Sequence, residues 1–326
     1  MQRSLARSLA RTLAALALAL PWTAMAQSWP ARTVRIVVPF AAGGPADIYA
    51  RAIAEKLSQS LGQSFVVEDK PGGGSIVGTD TVAKSAPDGY TLLMMSNTHT
   101  VNESLIPDKP FALLRDFVPV APVNYSDLLM VVHPSVPAAT VAEFVALAKA
   151  QPGRLNYASS GPGTPYHMAG ELFKAMAGVD VVHVPYKGSS GARTDILGGQ
   201  VQMMFDAITT MAPHVRSGKL KALGSTGRVR STVLPEVPTV SEAGVAGYEA
   251  VIWLGVLAPA GTPKAIVERL NAEITRVTSA PEMREAWARQ GATAMAMTTE
   301  EFGRYLREDI EKWARVVKLS GAKADR

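Results

Sequence analysis

Val34-Arg35-Ile36-Val37-Val38-Pro39-Phe40-Ala41-Ala42-Gly43-Gly44-Pro45-Ala46-Asp47 passes from a β-branched run, through a glycine turn, into a helix start. The run Val34–Val38 reads as a strand. The apolar spacing of Tyr49, Ile53 and Leu57 predicts a helix from Pro45 to Leu61 with one buried face. Proline suits a helix's first turn because it has no N–H to leave unpaired there. The exposed amides of such a start, with the helix dipole behind them, favour an anion. Asp47 in that first turn is placed to cap backbone amides. Taken alone, the segment is equally an ordinary strand–helix turn.

Ser159-Ser160-Gly161-Pro162-Gly163-Thr164-Pro165-Tyr166-His167 repeats the plan, adding hydroxyl donors at Ser159, Ser160 and Thr164. Two helix-start anion sites in separate parts of the chain suggest one ligand held between them. Neither turn carries the Gly-Lys-Ser/Thr of a phosphate loop or the third glycine of a dinucleotide fingerprint, whose place Tyr166 takes. Gly72-Gly73-Gly74-Ser75 also lacks the lysine and shows no clear apolar helix behind it, so it reads as a turn or cleft wall.

Between these segments, short β-branched runs alternate with helical patterns: Phe65–Val67, Thr91–Met95, Leu128–Val132, Leu155–Ala158, Val181–Val184, Val201–Phe205 and Leu220–Gly224. Such alternation implies mostly parallel sheets covered by helices. Thr140 with Glu143, and Thr298 with Glu301, have capping-box spacing. Thr262-Pro263 reads as an N-cap followed by proline at the first helical position. The last 65 residues are mainly helical, and neither a repeat nor a long linker interrupts the chain.

Catalysis finds little support. No Gly-x-Ser-x-Gly elbow and no His-Glu-x-x-His motif is present, and the five histidines are not spaced as paired metal ligands. No catalytic residue, metal or cofactor is therefore expected. His167 could reach a ligand or hold its loop in shape. Asp206 follows an apolar strand, at the end where open α/β sheets place ligands. Ser96-Asn97-Thr98 ends another strand with three neutral polar side chains suited to a carboxylate. Trp253 and Tyr186 could supply apolar cleft walls, and Met203, Met204 and Ile208 hint at an apolar pocket for an aromatic or longer-chain acid.

Composition bounds the class. The 326 residues contain no cysteine, which excludes disulfides, thiolate nucleophiles, thiolate zinc sites and an acylated lipoprotein anchor. The pI of about 9.4 invites a nucleic-acid reading. However, Arg3, Arg7 and Arg11 precede an apolar run from Leu13 to Leu20, then Pro21 and Ala24-Met25-Ala26, which reads as a secretory signal peptide cleaved after Ala26. Its removal leaves 300 residues and lowers the net charge from +5 to +2. A near-neutral exported protein has no electrostatic reason to bind nucleic acid. No later apolar stretch is long enough to span a membrane, so a soluble, periplasmic, monomeric protein is expected.

Several ordered motifs resemble signatures of one family: residues 39–47, Pro87-Asp88-Gly89-Tyr90-Thr91-Leu92-Leu93, His183-Val184-Pro185-Tyr186-Lys187-Gly188, Leu234-Pro235-Glu236-Val237-Pro238-Thr239 with Glu242-Ala243-Gly244, and Ala258-Pro259-Ala260-Gly261-Thr262-Pro263. The chain resembles, from about Trp29 to Leu319, the Bordetella uptake gene receptors, substrate-binding proteins of tripartite tricarboxylate transporters. The resemblance implies an α/β, type II periplasmic-binding-protein fold, with two α/β lobes around a central cleft. It puts residues 27–123 and 251–326 in lobe 1 and 124–250 in lobe 2, after a signal peptide over 1–26. It also implies that carboxylates are held by the two glycine turns, through Phe40, Ala41, Gly43 and Gly44 on one lobe and Ser159, Ser160, Gly161 and Thr164 on the other.

Asp69, where relatives commonly carry asparagine, and Ala207-Ile208, where a polar residue is common, depart from the family pattern, so ligand identity is not copied from any relative. The combined expectation is a non-enzymatic receptor that captures a small mono- or dicarboxylate and delivers it to membrane permease subunits. A sensory receptor for a sensor kinase, or an enzyme acting on an anion with His167 as base, are the alternatives.

Overall fold

The computed structural model describes residues 29–323; the signal-peptide expectation for 1–26 lies outside the described residues. In chain order the elements are β1 (Val34–Val38), α1 (Pro45–Leu61), β2 (Phe65–Asp69), α2 (Ile76–Ala83), β3 (Thr91–Ser96), α3 (Thr98–Leu105) and α4 (Leu113–Asp116). There follow β4 (Phe117–Val132), α5 (Val141–Ala150), β5 (Asn156–Ser159), α6 (Pro165–Ala177), β6 (Val182–Pro185), α7 (Ser189–Leu197), β7 (Met203–Ala207), α8 (Ile208–Arg216) and β8 (Lys221–Ser225). The chain ends with β9 (Val251–Pro259), α9 (Lys264–Ser279), α10 (Pro281–Ala288), β10 (Ala292–Ala294) and α11 (Thr299–Ser320). From Arg32 onward these elements form one compact unit.

A single long strand joins two halves of the sheet. In the first half, β2, β1 and β3 are parallel, and β3 continues antiparallel into β9, then β4, with β10 also on β4. β4 pairs with β9 as far as Asp127↔Val251; from Leu128 to Val132 it pairs instead with β7 and β8. Parallel β7, β5 and β6 complete the second half. The residues before Leu128 had not read as a strand because Pro119 and Pro122 interrupt them. The structure accommodates the prolines at two register irregularities, between Pro119 and Ala121 and between Pro122 and Asn124.

The return crossing is tied to β4 by Thr226, which is fully buried. Its amide donates to the Leu128 carbonyl at 3.0 Å, while its Oγ1 accepts from the Leu128 amide at 2.8 Å. Its own carbonyl accepts from the Ala250 amide at 3.1 Å, and its hydroxyl reaches the Ala250 carbonyl. Each half has its own aromatic core: Phe111, Phe117, Trp253 and Phe302 in the first, and Phe144, Tyr157, Phe173, Phe205 and Tyr248 in the second. A smaller cluster spans the halves, with Trp313 of α11 packed on Val101, Leu105 and Met168.

Several local expectations need correction. Thr298 and Glu301 form a complete capping box, but Glu143 accepts from the amide of Ala139 rather than from Thr140, so the first motif is only half made. Pro263 is itself the N-cap of α9, and the Thr262 hydroxyl donates back to Pro259. Helix α2 does follow Gly72–Ser75; its eight residues include Gly78 and three threonine or aspartate positions, which hides the apolar face. Met203, Met204 and Ile208 are wholly buried in the second half's core, so they say nothing about the ligand.

Candidate functional site

The turn after β1 is built by its glycines. Gly43 adopts φ +75°, a left-handed conformation that L side chains resist, and this turns its amide back toward the helix. That amide donates to Asp47 Oδ2 at 2.8 Å. Asp47 is buried and ion-paired to Arg51 at 2.5 Å, and Arg51 also holds Asp69 at 2.9 Å. The carboxylate thus shapes the turn from behind. Gly44, the N-cap, offers no side chain to the helix amides, so the first turn of α1 stays open.

The second turn follows the same plan with different parts. Gly163 has φ +73°, and its amide donates to His167 Nδ1 at 3.1 Å. The Thr164 hydroxyl caps α6 through His167 N and donates to Gly161 O at 2.7 Å. Ser159 Oγ accepts from Gly161 N at 3.1 Å and meets His183 Nε2 at 2.6 Å. The rings of Tyr157, His183 and His167 stack in a column, with the two imidazole centroids 4.1 Å apart. Burial pushes His183 down to about 4, so that ring is neutral near pH 7.

Between the halves lies a cavity of about 30 Å³ on which four helix starts converge. Gly44, Pro45 and Ala46 come from α1, Ser96 and Thr98 from the start of α3, Pro165 and Tyr166 from α6, and Gly188 and Ser189 from α7; Phe40, Ala41, Ser160, Ile252 and Leu254 complete the wall. Three of these starts, at α1, α3 and α7, have no side-chain cap. No lining residue is charged. The positive end of the field therefore comes from backbone dipoles and hydroxyls rather than from a cation. Ser96 Oγ accepts from Thr98 N and donates to Thr98 Oγ1 at 2.9 Å, which leaves the Thr98 hydroxyl proton uncommitted.

Behind this cavity His99 is buried. Its Nε2 meets Thr79 Oγ1 at 2.9 Å, and its Nδ1 accepts from Ser96 N at 3.3 Å. Burial pushes it down to about 4. Asn97 points away and donates to Val251 O at 3.0 Å, tying α3 to the return crossing.

Asp206 is wholly buried below the cavity, its carboxylate 3.3 Å from Arg193 Nε. Burial pushes it up to about 6, against the pull of Arg193. The same guanidinium donates to Ser189 Oγ at 3.0 Å and, across the cleft, to Gly43 O at 3.0 Å. Ser190 Oγ adds a bond to Ala42 O at 2.8 Å. Asp206 thus anchors the arginine that joins the two halves.

A second chamber of about 510 Å³ adjoins the cavity, sharing Phe40 and Ser160 with it. Gly72–Ser75 and Ile106 line one side, and Gly161, Pro162, Thr164, Tyr186 and Lys187 the other.

Of the residues singled out in sequence, Phe40, Ala41, Gly44, Ser96, Thr98 and Ser160 line the first cavity, and Gly161 and Thr164 the second. Gly43, Asp47, Asn97, Ser159, His167 and Asp206 stand behind these walls, holding them. Trp253 is no cleft wall: its indole donates to Asp309 at 3.2 Å within the core, while Ile252 and Leu254, on the opposite face of β9, line the cavity. Sequence reasoning missed Ser189 and Arg193; the glycine-serine run 188–190 was the available signal.

The family model described as tripartite tricarboxylate transporter family receptor matches residues 49–322. An R. palustris protein solved with adipate is 34% identical, with a TM-score of 0.88 over 90% of this chain and 99% of its own. The periplasmic binding protein BugD is 33% identical, with a TM-score of 0.86 over 90% and 99%. MatC from Rhodopseudomonas palustris, solved with bound malate, is 33% identical, with a TM-score of 0.85 over 89% and 100%. The fold is therefore that of the periplasmic binding proteins, and the family is one of receptors rather than enzymes. The chain belongs to the tripartite tricarboxylate transporter receptor family.

Proposed function

We propose that the protein is a periplasmic receptor that captures a small carboxylate between its two halves and hands it to the permease subunits of a tripartite tricarboxylate-type transporter. The observation that carries this reading is the convergence of four helix starts, three without side-chain caps, on a cavity with no charged wall. A carboxylate there would receive the first-turn amides of α1 and α6 and the hydroxyls of Thr98 and Ser160. Holding the anion with neutral donors gives binding without a salt bridge that would have to be broken at release.

The two halves would act as lobes, residues 27–123 with 251–326 and residues 124–250, hinged where β4 changes partner and Thr226 clasps the return. The Arg193–Gly43 and Ser190–Ala42 bonds would hold the two lobes together on closure. Adipate and malate, with which two of the relatives were solved, are both small carboxylates. No helix among the described residues is long and apolar enough to cross a membrane, which agrees with an exported receptor.

A thermal-shift screen of mono- and dicarboxylates tests the proposal, because a ligand that binds only the folded state raises its melting temperature. The expected result is a rise with at least one acid and none with its uncharged amide. A flat response to every acid would contradict it.

A further inference from the structure

The strands that pass between the halves have two faces. Ile252 and Leu254 of β9 line the first cavity, whereas Val251, facing the other way, lines a separate cavity of about 370 Å³. This volume lies within the ~300–1,000 Å³ typical of small-molecule sites. Both halves build it. The turn between α10 and β10 forms one wall, and the loop 227–232, which follows the Thr226 clasp, forms the other. The halves touch beside it: a Cβ on Gly291 would lie 2.7 Å from Ile208 Cγ2 and 3.1 Å from Val233 Cγ2.

The stretch of β4 just before its change of partner supplies the chemistry. Tyr125 and Asp127, two apart and so on one face of the strand, both line the cavity. Tyr125 is exposed and Asp127 half-buried. The Asp127 carboxylate has no hydrogen bond and no ion pair among the described residues. The arginines of the opposite wall do not answer it: Arg228 holds Glu249 at 2.7 Å, and Arg230 holds Glu242 at 2.8 Å. Burial and the Glu249 charge push Asp127 up to about 6, as expected of a carboxylate without a cation. The loop leaves room for it, since a Cβ on Gly227 would lie 2.5 Å from Asp127 Oδ2. No three His, Asp or Glu side chains are grouped to hold a metal ion among the described residues, and one carboxylate gives too few oxygens for calcium or magnesium. An ammonium group needs only a carboxylate and an aromatic face.

We infer that this cavity behind the hinge is an effector site for a small aliphatic amine, whose ammonium pairs with Asp127 and meets the Tyr125 ring while its chain lies on the exposed Val229. Because each wall moves with its own half, rotation about β4 alters the cavity. An amine that fits it in the arrangement where Arg193 and Ser190 bond across the cleft favours that arrangement. The amine and a carboxylate in the first cavity therefore strengthen each other's binding. This coupling rests on the receptor reading; the amine site itself does not.

The test is a calorimetric titration of wild type, Asp127→Asn and Tyr125→Ala with 1,4-diaminobutane, and with 1,4-butanediol as the uncharged molecule of the same length. Wild type is expected to bind the diamine and not the diol. Asp127→Asn should weaken the diamine about tenfold, the effect of losing one hydrogen bond to a charged group, and Tyr125→Ala about threefold. Asparagine is nearly isosteric and removes a charge that no residue answers, so Asp127→Asn should fold, with a urea midpoint at or above that of wild type. No binding of the diamine to wild type, or equal affinity in Asp127→Asn, would overturn the site. Each acid that raises the melting temperature in the carboxylate screen is then titrated with and without saturating diamine. A few-fold gain in acid affinity is expected in wild type and none in Asp127→Asn; an unchanged affinity in wild type would overturn the coupling. A screen in which no acid binds would contradict the receptor reading and the coupling together, while the diamine titration still decides the site.

Discussion

The two turns that face the ligand cavity are one backbone design carried out with two side-chain sets. Gly43-Gly44-Pro45-Ala46-Asp47 matches Gly163-Thr164-Pro165-Tyr166-His167 position by position. The first glycine is left-handed in both, and its amide donates to the residue four positions on: Asp47 at 2.8 Å, His167 at 3.1 Å. The difference lies in how each is supported. The first turn has a bare N-cap and an acceptor neutralised by Arg51; the second has a hydroxyl cap and a neutral ring stacked on another. An anion needs open amides and no opposing charge, and two chemical solutions meet that need.

The largest effect that tests this comparison concerns acid. Each half places a histidine pushed down to about 4 behind the cavity wall, His99 in the first and His183 in the second. Below the ordinary value of 6.5, the unfolded chain binds a proton that the folded protein refuses. Stability should therefore fall as the pH drops from about 6.5 toward 4, by up to about 3 kcal/mol for each site. Asp206, pushed up to about 6, works in the opposite sense: it costs stability as the pH rises from about 4 to 6, and so offsets part of the loss. Urea unfolding at pH 4.5 and 7 should show a smaller difference for His99→Gln and for His183→Gln than for wild type. Equal differences would show that neither histidine carries the acid sensitivity.

Substituting the left-handed glycines comes next. Gly43→Ala and Gly163→Ala should each cost about 1–2 kcal/mol of stability for the strained backbone. They should differ in ligand affinity. A Cβ at position 43 meets only Ser190 Oγ at 3.7 Å, whereas at 163 it would lie 2.3 Å from Asn102 Oδ1, in the opposite half. Gly163→Ala should thus hinder closure and weaken binding about a hundredfold, a cost of about 2.7 kcal/mol, against a few-fold for Gly43→Ala. Matching losses would break the asymmetry drawn here.

Removing the acceptors acts on stability alone. His167→Ala and Asp47→Ala each leave a glycine amide unbonded, for about 1–3 kcal/mol of stability. Asp47→Asn should recover most of its loss, since the amide oxygen still accepts. Smallest is the exchange of caps. Thr164→Gly should cost a few tenths of a kcal/mol, and Gly44→Ser should gain about as much while weakening the ligand, because the new hydroxyl would occupy an amide now open. Denaturant midpoints and titration of the same variants would separate the two effects.

Much of this frame was legible because its signals are local. The β-branched run 34–38, the glycine turn and the apolar spacing of Tyr49, Ile53 and Leu57 specify β1 and α1 within thirty residues of chain. The first half of β4 was hidden by Pro119 and Pro122, which only its irregular pairing with β9 accommodates. Helix α7 was hidden because Ser189, Ala192 and Ile196 are its only buried positions, too weak a stripe to read. Arg193 could not be assigned to the site at all: its partner carbonyl at Gly43 is 150 positions away, and only folding brings them together. Trp253 misled for the opposite reason, since the parity of β9 decides which of its side chains faces the cleft, and aromaticity does not.

The central claim is that backbone amides of two matched helix starts, and no cation, hold the ligand's carboxylate. A crystal structure of the protein grown with the tightest-binding acid of the thermal-shift screen tests it most directly. The account expects one carboxylate in the first cavity, its oxygens within about 3 Å of first-turn amides of both α1 and α6. A carboxylate seated instead on the Arg193 guanidinium, with those amides unengaged, would contradict it.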